Sequence, residues 1–312
     1  MSLAPRAVLV HRTSEYEELL ARHGTHGQAE FFLSSRGRGI EKIAGRHRRA
    51  RRILAEVASS VPLSWRQARV ERADLDRFLF GPEDVVVVVG ADGLVANTAK
   101  YLSGQPVAGV DTDPGQGLGV LVRHRSRDVA RLLAAAAGRG AGYDELTMVE
   151  AVADNGERLR ALNEIYLGRP GHQSARYRLA PDRAGEPGAG TGCSGPAPGA
   201  YEAQISSGVL VGTGTGATGW LRSLRRERAS TLAPPSPGDP RLLWFVREAW
   251  PSPTTGTRLV EGVLDGERKL RLTVESDRLV AFGDGVESDA LELVWGQSVA
   301  LGVADLRLRL LL

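Results

Sequence analysis

Cysteine is almost missing from this chain. The single Cys193 among 312 residues excludes an intrachain disulfide framework and a zinc cluster built on cysteine. The six histidines are scattered and show no HExxH or comparable ligand spacing, so no protein-held metal site is expected. Aromatic residues make up only 5%. No apolar run approaches the ~18 residues that a membrane span requires, so no membrane partner is expected. The net charge of +3 is too small to argue for nucleic acid without a concentrated patch. Arginine greatly outnumbers lysine, and glycine and alanine are plentiful, which reads as the imprint of a GC-rich genome. The opening residues run directly into an apolar strand and do not look like a signal peptide, so a reduced, cytoplasmic setting is expected.

What is present suits a soluble globular protein: 42% hydrophobic and 25% charged residues. A chain of 312 residues is long enough for two domains, each with its own core. The most informative stretch is Val85-Val-Val-Val-Val-Gly90-Ala91-Asp92-Gly93. Five valines read as a strand buried on both faces, as in a parallel sheet. A glycine turn then leads into helical spacing over residues 94–102. Such a strand, turn and helix N-terminus favour an anion, although an aspartate in the turn would repel phosphate and makes better sense as a base or metal-linked group.

Around this stretch, strands are expected at 7–11, 61–70, 105–111 and 119–122, and helices at 15–22, 74–79 and 128–137. Residues 36–52 hold eight Lys/Arg against one acid, Glu41. With Ile40, Ile43, Ile53, Leu54 and Val57 on the apolar side they read as a basic amphipathic helix, either a solvated outer face or a rim that attracts a polyanionic nucleotide. The alternation predicts an open, mostly parallel α/β sheet, with ligands at the carboxyl ends of its strands, where Asp92 and Asp111 fall. From about residue 143 the pattern changes to short strands, among them 159–167, 258–264 and 269–275, which predicts an all-β sandwich-like second domain. Asp265-Gly266 and Asp284-Gly285 read as hairpin turns. A Gly/Pro-rich stretch at 181–199, containing Cys193, reads as a flexible insertion. The expected division is 1–126 for the α/β domain and 127–312 for the mainly β domain.

Three elements in order resemble the NAD kinase family. Gly90-Ala91-Asp92-Gly93 matches a Gly-Gly-Asp-Gly signature, Asn163-Glu164 heads an apolar strand, and Gly212-Thr-Gly-Thr215-Gly-Ala-Thr218-Gly-Trp220 looks like a Thr-Pro-Thr-Gly-Ser-Thr-Ala-Tyr loop. Val110-Asp-Thr-Asp113-Pro, the run from Ser206 to Thr215 and the opening Val8-Leu-Val-His-Arg-Thr-Ser-Glu-Tyr point closer to the mitochondrial-type branch. The resemblance implies an ATP-dependent kinase that phosphorylates the 2′-hydroxyl of the adenosine ribose of NAD to give NADP. Asp92 would be the general base and Mg²⁺ would enter with ATP. Gly90 and Gly93 would admit the donor's phosphates, while Asn163, Glu164, Thr215, Thr218, Trp220 and Ser223 would bind the substrate. Asp111 is a further candidate, and a homodimer is expected by resemblance. Taken singly, each element has a plainer reading: a turn with an exposed charge, a flexible Gly/Thr loop, a core tryptophan, turn and cap aspartates.

The chain also departs from the family pattern. Ala91 stands for a glycine, Leu94 for a threonine, Asp111 for an asparagine common among relatives, and Trp220 for a tyrosine. These leave two alternatives open: a related phosphotransferase acting on another nucleotide, nucleoside or sugar hydroxyl, or a nucleotide-binding protein without catalysis. Lipid kinases share a comparable glycine turn, but the chain has no obvious apolar interfacial segment.

Overall fold

The computed structural model describes residues 4–115, 117, 119–138, 140–181 and 201–312. The chain divides into two compact units, Met1–Asp144 with Arg309–Leu312, and Glu145–Leu308.

The first unit contains β1 (Arg6–His11), α1 (Glu15–His23), α2 (His26–Ser34), α3 (Glu41–Ser59), β2 (Arg66–Glu71), β3 (Asp84–Gly90), α4 (Asp92–Ala99), β4 (Pro106–Asp111) and α5 (Val129–Ala137). Its strands run parallel in the order β2-β1-β3-β4. Along the free side of β4, Arg309 and Leu310 pair with Pro106 and Val107, and His124 bridges Val110. The valine run is the centre of this sheet. Val85, Val87 and Val89 pack with Leu54 and Val57 of α3, with Val129, Leu132 and Leu133 of α5, and with Leu311. Val86 and Val88 on the opposite face are also fully buried, so a strand covered on both sides needs apolar residues throughout. At the strand's start the buried Asp84 carboxylate accepts two bonds from Arg6, at 2.7 and 2.6 Å. Such a bidentate charged pair fixes orientation as well as energy.

Three expectations change here. No helix forms over 74–79, only a short 3-10 turn at Arg72–Asp74. No strand forms over 119–122 beyond the single bridge at His124, because the N–H groups of 120–122 are taken by a side chain described below. The segment lies so close to β4 that a Cβ on Gly109 would collide with the Leu121 carbonyl oxygen. Finally, α5 belongs to the first unit, past the boundary expected at 126, since its apolar face covers the valine strand.

The second unit is built from β5 (Tyr143–Ala153, entering from the first unit), β6 (Arg158–Ala161), β7 (Glu164–Gly168), β8 (Ala175–Pro181), β9 (Glu202–Ser206), β10 (Gly208–Gly212), α6 (Trp220–Glu227), β11 (Arg241–Arg247), β12 (Glu261–Asp265), β13 (Leu270–Val274), β14 (Arg278–Gly283), β15 (Val286–Val294) and β16 (Ser298–Leu311). One antiparallel sheet has the order β12-β11-β10-β7-β14-β15. A second layer runs β16-β13-β8-β9, with β5 beside β16 and β6 beside β5. Alternate residues of both layers, including Ile165, Leu167, Tyr177, Leu179, Trp244 and Leu272, share one core, the period-2 burial of a sandwich.

The all-β expectation holds apart from α6. The strand expected over 159–167 is two strands, broken at Leu162 and Asn163. Asp265-Gly266 is not a hairpin turn, because β12 and β13 belong to different layers. Asp284-Gly285 is one, joining β14 to β15 with φ of 53° and 69°, the left-handed pair of a tight two-residue turn. Apart from Pro181, the 181–199 stretch with Cys193 lies outside the described residues.

Gly109→Ala is expected to destabilise the protein by about 1–3 kcal/mol through overpacking against the 120–122 backbone, read as a lowered urea midpoint. An unchanged midpoint would show that this segment moves freely away from β4.

Candidate functional site

The expected site residues fall into two groups, one in each unit. In the first, β3 delivers the glycine turn at its carboxyl end and α4 starts at Asp92. The Asp92 carboxylate is already engaged: Oδ1 accepts the N–H groups of Leu121 and Val122 at 2.8 and 3.0 Å, and Oδ2 that of Val120 at 3.0 Å. Asp92 therefore clamps the 120–122 segment, a role the sequence did not show. Oδ2, with one such bond, keeps acceptor capacity for a ligand proton.

The space above Gly90 is filled by this chain's own side chain. A Cβ on Gly90 would sit 2.8 Å from Leu94 Cδ2, and Leu94 is buried. Gly93 faces open space. Asp111 is held locally, accepting the N–H of Asp113 at 2.8 Å and pairing with Arg125 at 3.3 Å. Asp113 pairs with Arg49.

The second group forms around the break between β6 and β7. There the Asp284 carboxylate accepts three consecutive N–H groups, from Leu162 at 2.8 Å, Asn163 at 2.7 Å and Glu164 at 3.3 Å. Its own N–H donates to the Glu164 carbonyl at 3.1 Å. From the other side the Thr213 hydroxyl donates to the Leu162 carbonyl at 2.6 Å and accepts from the N–H groups of Thr215 and Gly216. The Thr213 N–H donates to the Asn163 carbonyl at 2.9 Å. The loop presses so tightly on this turn that a Cβ on Gly216 would collide with the Asn163 carbonyl.

Asn163, Glu164 and Thr215 are thereby brought together, and their polar ends are unspent. The Thr215 hydroxyl is buried without a partner. The side chains of Asn163 and Glu164 make no hydrogen bond among the described residues. A buried hydroxyl with no partner is costly unless something else supplies one. Burial, and then the charge of Asp284, push the Glu164 carboxyl up to about 8. At neutral pH it keeps its proton and can donate as well as accept.

Thr218 is exposed and donates to the Thr215 carbonyl at 3.3 Å. Trp220 opens α6, stacked on Tyr166 at 5.4 Å and 19°, with the Arg247 guanidinium 5.4 Å from its ring. It packs with Leu221, Leu224 and Phe245, so it anchors the helix. Ser223 is exposed on the next turn of α6. Thr213 and the carboxylate of Asp284 were missed by sequence reasoning. The Asp-Gly pair announces a turn, but nothing local announces a carboxylate that reaches a segment some 120 residues earlier.

No protein-family model matches the chain, and no curated protein matches its sequence significantly. The fold does match. The crystal structure of yeast NADH kinase complexed with NADH superposes with a TM-score of 0.55 at 13% identity, covering 99% of this chain and 84% of that one. The two-part architecture, a mostly parallel α/β sheet and an antiparallel β part, is an NAD kinase-like fold.

Because Glu164 rises from an ordinary 4.5 to about 8 on folding, the folded state holds a proton that the unfolded chain releases in between. Stability should therefore fall as pH rises through that window. Glu164→Gln needs no proton, so its stability relative to the parent should climb by a few kcal/mol between about pH 5 and about pH 8, read by urea unfolding. Parallel pH curves for the two proteins would show that Glu164 is not the titrating group. Asp284→Asn is expected to cost about 1–3 kcal/mol by stranding a buried donor, with amide exchange rising first at 162–164.

Proposed function

We propose that the protein is an NAD(H) kinase-like phosphotransferase that uses ATP to phosphorylate the 2′-hydroxyl on the adenosine ribose of NAD or NADH. The observation that carries this reading is the Asn163-Glu164 turn, with its unspent amide, protonated carboxyl and buried Thr215 hydroxyl, in a fold that yeast NADH kinase shares. An amide, a neutral carboxyl and a hydroxyl each donate and accept, the chemistry that ribose hydroxyls and an adenine edge require. Asp92 Oδ2 takes the hydroxyl proton, the ribose oxygen bonds to the γ-phosphorus, and the bond from that phosphorus to the departing ADP oxygen breaks. Such a transfer depends on positioning and charge stabilisation more than on covalent chemistry by the protein.

Among the described residues no group of three or more His, Cys, Asp or Glu could hold a metal. On this reading Mg²⁺ would enter on the triphosphate, since magnesium takes one or two carboxylates and otherwise substrate oxygens and water. Asp111, level with Gly90 on the neighbouring strand, is the carboxylate of the first unit that would supply one; the ion would neutralise charge on the phosphates. Among the described residues no helix is long and apolar enough to cross a membrane, and a cytoplasmic homodimer accompanies this reading.

A second reading, the same chemistry on another nucleotide, nucleoside or sugar hydroxyl, is favoured by one observation. Leu94 occupies the space over Gly90, which narrows what can approach that turn.

Purified protein with Mg²⁺-ATP and NAD or NADH is expected to form NADP or NADPH, read with an NADP-specific dehydrogenase. Asp92→Asn should lower turnover by about 10²–10⁴ while leaving dinucleotide affinity unchanged. Glu164→Ala should raise KM for the dinucleotide more than KM for ATP. Turnover of a different acceptor selects the second reading, and no turnover across a panel of hydroxyl acceptors refutes both.

A further inference from the structure

At the carboxyl ends of β1 and β3 the first unit holds a pocket lined by His11, Arg12, Ser14, Glu17, His47 and Arg51, with Leu54 and Val89 beneath. Val89 directly precedes the glycine turn that carries Asp92, so the pocket opens at the end of an open parallel sheet where ligands of such sheets sit.

Its one acid, Glu17, is engaged through a single oxygen, Oε2. Glu17 accepts from both the N–H and the hydroxyl of Ser14, each at 2.9 Å, as the capping partner of α1. The Ser14 hydroxyl is also bonded to His47 Nδ1 at 2.8 Å. The cations are less engaged: among the described residues Arg12 and Arg51 make no hydrogen bond or ion pair, although Arg51 acts at longer range on Glu17 and His11. Their neighbours on α3 differ, with Arg49 paired to Asp113 and Arg52 near Glu56. His11, half-buried between them, is held below its usual value by burial and then by Arg51, against the pull of Glu71. It stays neutral and can still donate one N–H.

Two guanidiniums without a hydrogen-bonding partner and an imidazole around a single concavity match a chain of phosphates, whose oxygens accept from several donors at once. We infer that Arg12 and Arg51, with His11, bind the phosphate chain of the phosphoryl donor. This rests on the phosphotransferase reading and deepens it by giving the donor a binding site that the motif residues do not include. The shared chemistry is a linear oligophosphate, carried by a nucleoside triphosphate or by inorganic polyphosphate.

The test is calorimetric binding to the full chain, with Mg²⁺-ATP and with tripolyphosphate as separate probes. The double variant Arg12→Gln/Arg51→Gln should lose tenfold or more in affinity for whichever probe the parent binds. A control on the same helix, Arg48→Gln/Arg52→Gln, changes the charge equally and should stay within twofold. NADH affinity should stay within twofold in both. All four side chains are exposed, so both variants should melt as the parent does. Loss with both probes assigns the site to the phosphate chain alone; loss with ATP alone assigns it to a nucleotide. The inference is overturned if the parent binds neither probe, if the double variant binds like the parent, or if the control loses as much. The phosphotransferase reading fails separately, by absence of phosphorylated product, whatever the outcome of these titrations.

Discussion

A carboxylate that gathers three consecutive peptide N–H groups is the interaction on which both groups of candidate residues depend, one in each unit. Asp92 does this for Val120–Val122 and Asp284 for Leu162–Glu164. Backbone donors in a tight bend have no strand or helix partner, and leaving them unpaired away from water costs about as much as a lost hydrogen bond. An ionised acceptor satisfies them with shorter, stronger bonds. It also fixes the bend, because three donors converging on two oxygens allow little variation in backbone angles. In the second unit this fixes the bend at Leu162 and Asn163 just before Glu164 enters β7, and the side chains of Asn163 and Glu164 stay without hydrogen-bond partners among the described residues.

The electrostatic settings of the two units differ. In the first, carboxylates beside the strand ends are matched by guanidiniums, Asp111 by Arg125 and Asp113 by Arg49, and a surplus of arginine remains on α3. In the second, Glu164 has no cation beside it among the described residues, and burial with the charge of Asp284 favours its protonated form. One setting favours anions, while the other favours neutral polar groups that exchange donors and acceptors.

Much of this was legible in the sequence because it is local and periodic. The valine run, the basic helix α3, the alternating strands after residue 143 and the Asp284-Gly285 turn each follow from spacing over a few residues. What was not legible depends on distant partners. Helix α6 carries only Leu221 and Leu224 as buried side chains, among three arginines and a glutamate, too few to declare a period, and forms because Phe245 and Tyr166 receive them. The break at Leu162 requires Asp284, and the loss of strand at 119–122 requires Asp92. Among the motif residues, the structure brings Asn163, Glu164 and Thr215 together around the turn that Asp284 and Thr213 hold. Trp220 stacks on Tyr166 and lies beside the Arg247 guanidinium, contacts between distant positions that its own segment does not announce.

Leu311 belongs to the core of the α/β unit, although 164 residues of the β unit, Glu145–Leu308, separate it from that unit's main segment. On a ribosome, the valine sheet therefore emerges early with one core side chain and one neighbour of β4 still unmade. Domains commonly fold in order as they are synthesised, but this one waits: its last stitch is sewn only after the whole β sandwich has been translated, so a nascent chain halted within the sandwich carries an α/β half that is open along β4.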